Sequence, residues 1–234
     1  YSVSILKGAL SVITIITQYG ELLLRAMGQT LLLALCGLFF ACIIGLVFGM
    51  MSVLKSKVCR AIAQIFVDIV RGVPMIVLAF FVFFGVPYFF KNVLGNNITL
   101  SALTAGTICL ALNCGAYMAE IIRAGIQSVD KGQMEAARSL GLTYWKSMRK
   151  VVLPQAIRTM IPSIINQFII TLKDTSILSV IGFPELVNSA KNVVAITFKS
   201  FETWLIVGIM YLIIITALSK LAKVLERRLN RGRQ

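Results

Sequence analysis

The chain has 234 residues and no histidine, and only 14% of its residues are charged. Acidic groups are scarce, 9 against 23 Lys and Arg. Cys36, Cys42, Cys59, Cys109 and Cys114 show no zinc-type spacing. Without histidine or paired cysteines, no metal site is expected. Most of these cysteines fall inside apolar runs and read as small packing residues. The pattern G-x-x-x-x-G-K-[ST] is missing, and no Gly-Lys pair occurs anywhere, so no phosphate-binding loop is visible. There is no strong internal repeat and no low-complexity linker. The start at Tyr1 has no initiator Met and no signal peptide with a cleavage site, and reads as a trimmed or processed start.

Apolar residues are what the chain has instead. They make up 58% of it, with a mean hydropathy of +0.89. A soluble domain of this length needs far more polar surface. The net charge of +14 raises nucleic acid as a partner. The basic residues sit between apolar runs rather than on one face, and no nucleic-acid motif accompanies them. The cytoplasmic face of a lipid bilayer accounts for them better.

Taken in order, residues 3–18 are apolar, interrupted by Lys7, and 1–20 is expected to be an interfacial amphipathic helix. A first span is expected from about Leu24 to Leu54, longer than the ~20 residues needed to cross. Gly28, Gly37, Gly45 and Gly49 along it would permit close helix packing. Spans at about 61–90, 98–122, 151–172 and 203–221 follow, with an irregular segment expected at 173–202. Lys55, Lys57 and Arg60, the basic residues from Arg123 to Lys150, and the tail with Arg227, Arg228, Arg231 and Arg233 all fall on one side. Lys91, Lys173, Lys191 and Lys199 are scattered on the other. The expected fold is therefore an all-α membrane protein with about five transmembrane helices, the N-terminus outside and the C-terminus cytoplasmic. Residues 1–234 read as one transmembrane domain.

The longest strongly polar passage between apolar runs is DKGQMEAARSLGLTYWKSMRKVVLP, residues 130–154. By charge alone it is an ordinary basic loop. It also carries helix signals. Asp130 followed by Gln133 is a variant of the capping box. Glu135, Ala136, Ala137, Arg138 and Leu140 favour helix, Gly141 suits a left-handed stop, and Thr143 can cap a second short helix running towards Pro154. A disordered loop would not need such punctuation, whereas a docking element would.

Glu135-Ala136-Ala137, then Gly141, then Val151, Leu153 and Pro154, resembles the EAA loop of the inner-membrane subunits of ATP-binding-cassette (ABC) importers. Tyr117 to Val129, and Leu153-Pro154-Gln155-Ala156 through Lys173-Asp174-Thr175-Ser176, resemble the polar amino-acid permease branch. The resemblance runs roughly from Gly28 to Arg228. It implies a type I ABC importer permease fold with a cytoplasmic coupling helix in the loop 130–154, where Glu135, Ala136, Ala137 and Gly141 engage an ATPase subunit. It further implies a bacterial inner-membrane location, ATP and Mg on the partner ATPase with no cofactor in this chain, a second permease copy or close relative, an extracytoplasmic solute-binding protein, and a polar amino acid as cargo. The chain itself would not be an enzyme.

Charged and polar groups inside spans mark a pathway or structural pairs. Asp68 and Arg71, three residues apart, can share a helix face and bond each other, with Pro74 bending the helix nearby. Arg71-Gly72-Val73-Pro74 resembles the family's Arg-Gly-Thr-Pro, with Val73 in place of Thr. Asn113 and Tyr117 share a face at four-residue spacing, with Glu120 beyond. Asn113 serves either a substrate or helix–helix hydrogen bonding. Lys173, Thr175 and Ser176 line a pathway or mark a span end. The rival class is an ion-gradient-driven secondary amino-acid carrier using Asp68 and Glu120. It usually has duplicated halves, which this chain lacks.

Overall fold

The computed structural model describes residues 2–230, and the side chains of residues 10–224. Lys7 and the tail arginines Arg227, Arg228, Arg231 and Arg233 lie outside the described side chains. Every regular element among the described residues is helical. In chain order these are α1 (Ser2–Val53), α2 (Lys57–Gly72), α3 (Met75–Phe80), a π-helical turn (Phe81–Gly85), α4 (Val86–Val93) and α5 (Ala102–Gln127). Then come α6 (Lys131–Ser139), α7 (Tyr144–Ser147), a second π-helical turn (Met148–Val152), α8 (Leu153–Asp174), a 3-10 helix (Thr175–Ile181), α9 (Leu186–Thr197) and α10 (Ser200–Asn230).

Among the described residues, five helical stretches are long and apolar enough to cross a bilayer: Leu10–Val53, Met75–Val93, Ala102–Gln127, Tyr144–Ile181 and Ser200–Val224. The expected number of spans is met, but three boundaries differ. No break separates an N-terminal helix from the first span, because α1 runs unbroken through Tyr19 and Gly20. Nothing in that stretch is a strong helix breaker once a neighbour packs against it. The second span starts at Met75 rather than 61, because Val73 takes an extended conformation before Pro74 and ends α2. The segment 173–202 is not irregular. Gly182, with φ +77°, stops the 3-10 helix, and α9 follows at once.

The chain clusters into two compact units. The first comprises Tyr1–Gly37, Met75–Cys109 and Thr171–Leu218. Its core joins Ile15, Leu23, Ala26 and Met27 of α1 with Leu186, Ala190 and Val193 of α9 and Ile206 and Val207 of α10. A polar knot lies against this core. Glu185, 0% exposed, accepts hydrogen bonds from the Val187 and Asn188 amides at the start of α9 (2.8 and 2.6 Å) and from the Tyr211 hydroxyl (3.3 Å). Burial pushes the Glu185 carboxyl above the usual range; these three donors and the nearby Lys191 pull the other way. Thr30 accepts the Leu186 amide at 3.1 Å, tying α9 to α1.

The second unit comprises Leu38–Pro74, Leu110–Ile170 and Ser219–Gln234. Here α1 and α5 approach so closely that only glycine fits. A Cβ on Gly49 would lie 2.8 Å from Ile122 Cβ, and one on Gly115 would lie 2.7 Å from Ile44 Cγ2. Gly45 is closed off in the same way by Met118. Gly28 differs from the expectation, since nothing lies within 4 Å of its missing Cβ. Beside this crossing, Ile122 and Ile126 of α5 pack with Met148, Val152, Ala156 and Met160.

Candidate functional site: the coupling element and the α2–α5 cation contact

The passage 130–154 starts and stops its first helix as the punctuation predicts, but three of the expected details differ. Asp130 caps α6 by accepting the Gly132 amide at 2.6 Å. Gln133 does not complete a capping box. Its side chain meets the Gln155 amide nitrogen of α8 at 3.4 Å instead, and so ties α6 to α8. At the far end Gly141 has φ +84°. Its amide bonds the Arg138 carbonyl at 3.0 Å, and the Leu142 amide reaches back to Ala137 at 3.2 Å. That pair of bonds is a Schellman stop, with Leu142 and the buried Ala137 at its apolar contact positions. Thr143 takes the N-cap position of α7 but makes no side-chain cap bond. The second helix does not end near Pro154; α7, the π turn and α8 form one rod from Tyr144 to Asp174.

The outer face of this element is exposed and mostly polar, with two large apolar side chains standing out among Lys131, Glu135, Arg138 and Lys146. Leu140 is 85% exposed and Trp145 62%, and Glu135 and Ala136 are also exposed. Its inner face is anchored, with Met134 and Tyr144 packed on the core cluster of α5 and α8. Between α6, α7 and the end of α5 lies an open cleft of about 490 Å³ lined by Ile126, Asp130, Met134 and Tyr144 among others. A stiff helix pair bearing Leu140 and Trp145 in the open has the form of a docking surface, large apolar side chains at a partner interface being its usual anchors.

Arg71 and Tyr117 do come together. The guanidinium lies 4.9 Å from the ring centre, in cation–π range. Arg71 and Asp68 do not bond each other: no ion pair joins them among the described residues, and Asp68 accepts from Gln64 Nε2 at 2.8 Å. Nor do they sit within an apolar span. They lie with Arg60 and Gln64 on an exposed polar strip of α2, beside the strip of buried Ala63, Val67 and Val70. Asn113, 7% exposed, lies one turn before Tyr117 on α5. Glu120 is paired with Arg123, whose Nε donates at 2.9 Å. In the other unit Lys173 is exposed, while the Thr175 and Ser176 hydroxyls donate to the carbonyls of Leu172 and Lys173, each at 2.7 Å. The Glu185 knot escaped sequence reading because Glu is an uncommon N-cap. Its signal was one carboxylate directly after Pro184 in a stretch poor in acids.

A family profile described as binding-protein-dependent transport system inner membrane component matches residues 37–231. The chain belongs to this family. It is a multi-pass inner-membrane component of a binding-protein-dependent transport system, and five helical stretches among its described residues are long and apolar enough to span the membrane. Among family members, the glutamine transport system permease protein GlnP of Escherichia coli (strain K12) is 36% identical over 208 residues, covering 89% of this chain and 93% of that protein. The probable amino-acid ABC transporter permease protein PatM of Vibrio harveyi is 35% identical over 211 residues, covering 90% of this chain and 93% of its own. Among solved structures, an amino acid ABC transporter crystallised with histidines matches with a TM-score of 0.84 and 37% identity, covering 91% of this chain and 96% of that one. The inward-facing MetNI methionine ABC transporter shares the fold, with a TM-score of 0.74 at 20% identity, covering 90% and 97%. The permease fold is thus the type I importer fold expected from the sequence.

Proposed function

We propose that this chain is the membrane-spanning subunit of an ATP-driven importer of polar amino acids. It forms the translocation pathway and catalyses no covalent chemistry itself. The observation that carries this reading is the capped element 130–154, which exposes Leu140 and Trp145, set in a chain that matches amino-acid ABC permeases along nine-tenths of its length. An ATPase subunit holding ATP and Mg docks on Glu135, Ala136, Leu140 and Trp145, one for each of two permease subunits, with Ala137 and Gly141 setting the shape of the docking helix. A second permease copy or close relative completes the pathway, and an extracytoplasmic solute-binding protein delivers the cargo. The N-terminus lies outside, the C-terminus is cytoplasmic, and 1–20 begins at the membrane interface. All 234 residues act as one permease domain.

Arg71, Tyr117 and Asn113 are the leading pathway candidates, because a guanidinium, a phenol and an amide can receive the polar ends of a zwitterion. Asp68, Lys173, Thr175 and Ser176 are the secondary ones. The ion-gradient carrier has no support among the relatives, and both of its carboxylates, Asp68 and Glu120, are engaged by neighbours on their own helices.

The test is uptake by proteoliposomes holding the permease, its ATPase and its binding protein, with a panel of amino acids. ATP-dependent uptake of a polar amino acid is expected. Uptake that persists without ATP and collapses with the ion gradient would overturn the reading.

A further inference from the structure

Beyond the charge asymmetry Lys55 has no role so far, and α2 has been described only through its Asp68 and Arg71. Lys55 lies in the short connection between α1 and α2, and its Nζ sits over the Tyr144 ring of the coupling element, 5.2 Å from the centre. One residue later, the Ser56 side chain caps α2 by accepting the Cys59 amide at 3.4 Å. α2 then runs for 16 residues, about 24 Å at α-helical rise, and delivers Arg71 to the face of Tyr117. Along its course Phe66 stacks on Phe48 of α1, with ring centres 4.0 Å apart and planes 16° from parallel. Immediately after Arg71 the helix stops at Gly72, and Val73 is extended.

We propose that Lys55 is a positioning residue, and that α2 is a strut carrying movement of the coupling element to the Arg71–Tyr117 contact. This rests on the reading of the Glu135 helix as the ATPase docking site. The continuous rod from Tyr144 into α8 is one route for such movement. The strut is a second, and it ends on Arg71, a leading pathway candidate.

Four features suit it to that work. It is a single helix, stiff and capped at its driven end. The flat Phe48–Phe66 stack lets it slide along α1 without unpacking. Its far end is released from the next helix by the break before Pro74. Both of its end contacts are cation–π, an attraction broad in distance and angle, so each survives a small shift that would break a directional hydrogen bond. The open cleft beside Met134 and Tyr144 leaves the coupling element room to move towards or away from α5. Positive-inside placement alone does not select Lys55, because any cation near the same loop serves that purpose. It does not require the ammonium to lie over a ring.

The test uses the full complex of permease, ATPase and binding protein in proteoliposomes, and reads amino acid transported per ATP hydrolysed. In Lys55→Gln the complex is expected to assemble and hydrolyse ATP, while transport per ATP falls about two- to fivefold, the range of an exposed cation–π contact. Tyr144→Leu should match it, and the double variant should be no worse than either single one. Lys55→Arg and Tyr144→Phe, which keep the cation and the ring, should restore the wild-type ratio. An unchanged ratio in Lys55→Gln, or no rescue by Lys55→Arg, overturns the strut. So does a loss of uptake and hydrolysis in equal proportion, which marks a purely structural residue. Failure of the underlying reading shows separately: Glu135→Lys would then assemble with the ATPase and work normally.

Discussion

Arg71 faces the Tyr117 ring, not Asp68. Its guanidinium stands 4.9 Å from the ring centre, while Asp68 takes its hydrogen bond from Gln64. The contact is worth about 1 kcal/mol where partly exposed. Arg71→Ala and Tyr117→Leu are each expected to lower uptake about fivefold, and Tyr117→Phe to leave it near normal. Asp68→Asn should change little, because an amide oxygen can still accept from Gln64. Asn113→Ala should lower uptake or shift the amino-acid preference by about 1 kcal/mol, the net worth of one hydrogen bond. Uptake assays across the amino-acid panel check all of these, and equal losses in Tyr117→Phe and Tyr117→Leu would move the role to the hydroxyl.

The coupling element depends on one backbone conformation and one exposed face. Gly141 has φ +84° with nothing within 4 Å of a built Cβ, so a side chain there meets strain rather than a clash. Gly141→Val should cost at least about 1 kcal/mol, and Gly141→Asn less, since Asn tolerates the left-handed region. Glu135→Lys, Leu140→Ala and Trp145→Ala touch only the exposed face. They should reduce recovery of the ATPase on co-purification while leaving the permease's own thermal unfolding unchanged. Full recovery in all three would place the docking surface elsewhere.

Orientation is open to direct labelling. In a cysteine-free background, a cysteine at Lys146 should react with an impermeant reagent only from the cytoplasmic side. One at Asn96, in the turn after α4, should react from outside. The reverse pattern would invert the chain in the membrane and remove the docking surface from the ATPase.

Glu185 gives the first unit a pH dependence. Burial raises its carboxyl in the folded state above the usual value. The folded state therefore holds this proton more tightly than the unfolded one. The stabilisation is fully present below the unfolded value and is lost as pH rises through the raised folded one. Thermal unfolding followed from about pH 4 to 8 should show stability declining upward through this window, and Glu185→Gln should flatten that part of the curve. A slope that survives the substitution belongs to another group.

Much of this was legible in the sequence because its signals are local. The stop at Gly141, the start at Asp130 and the helix through Glu135 follow from backbone chemistry a few residues long, and five apolar stretches announce themselves by composition. What was not legible depends on partners far along the chain. Asp68 and Arg71 have the right spacing to pair, but spacing cannot show that Tyr117 offers Arg71 a ring or that Gln64 reaches Asp68 first. Likewise Gly28 and Gly49 look alike in sequence, and only Ile122 makes the second of them indispensable. The helix after Gly182 escaped notice because its start rests on an uncommon N-cap, Glu185, which bonds Tyr211 of α10, and on Thr30 of α1, which accepts the Leu186 amide.

The π-helical turn Met148–Val152 holds about one residue more than an α-helical turn of the same height. Deleting a single residue there would let the backbone relax to ordinary α-helix with almost no change of phase, because the π turn spreads one extra residue over nearly the same arc. Ala156 and Met160 would stay against Gly125 of α5. Further along α8, where no such slack exists, the same deletion would rotate everything after it by about 100°. The π turn is thus the place between the docking helix and the span where a residue can be lost without turning the span to the wrong side.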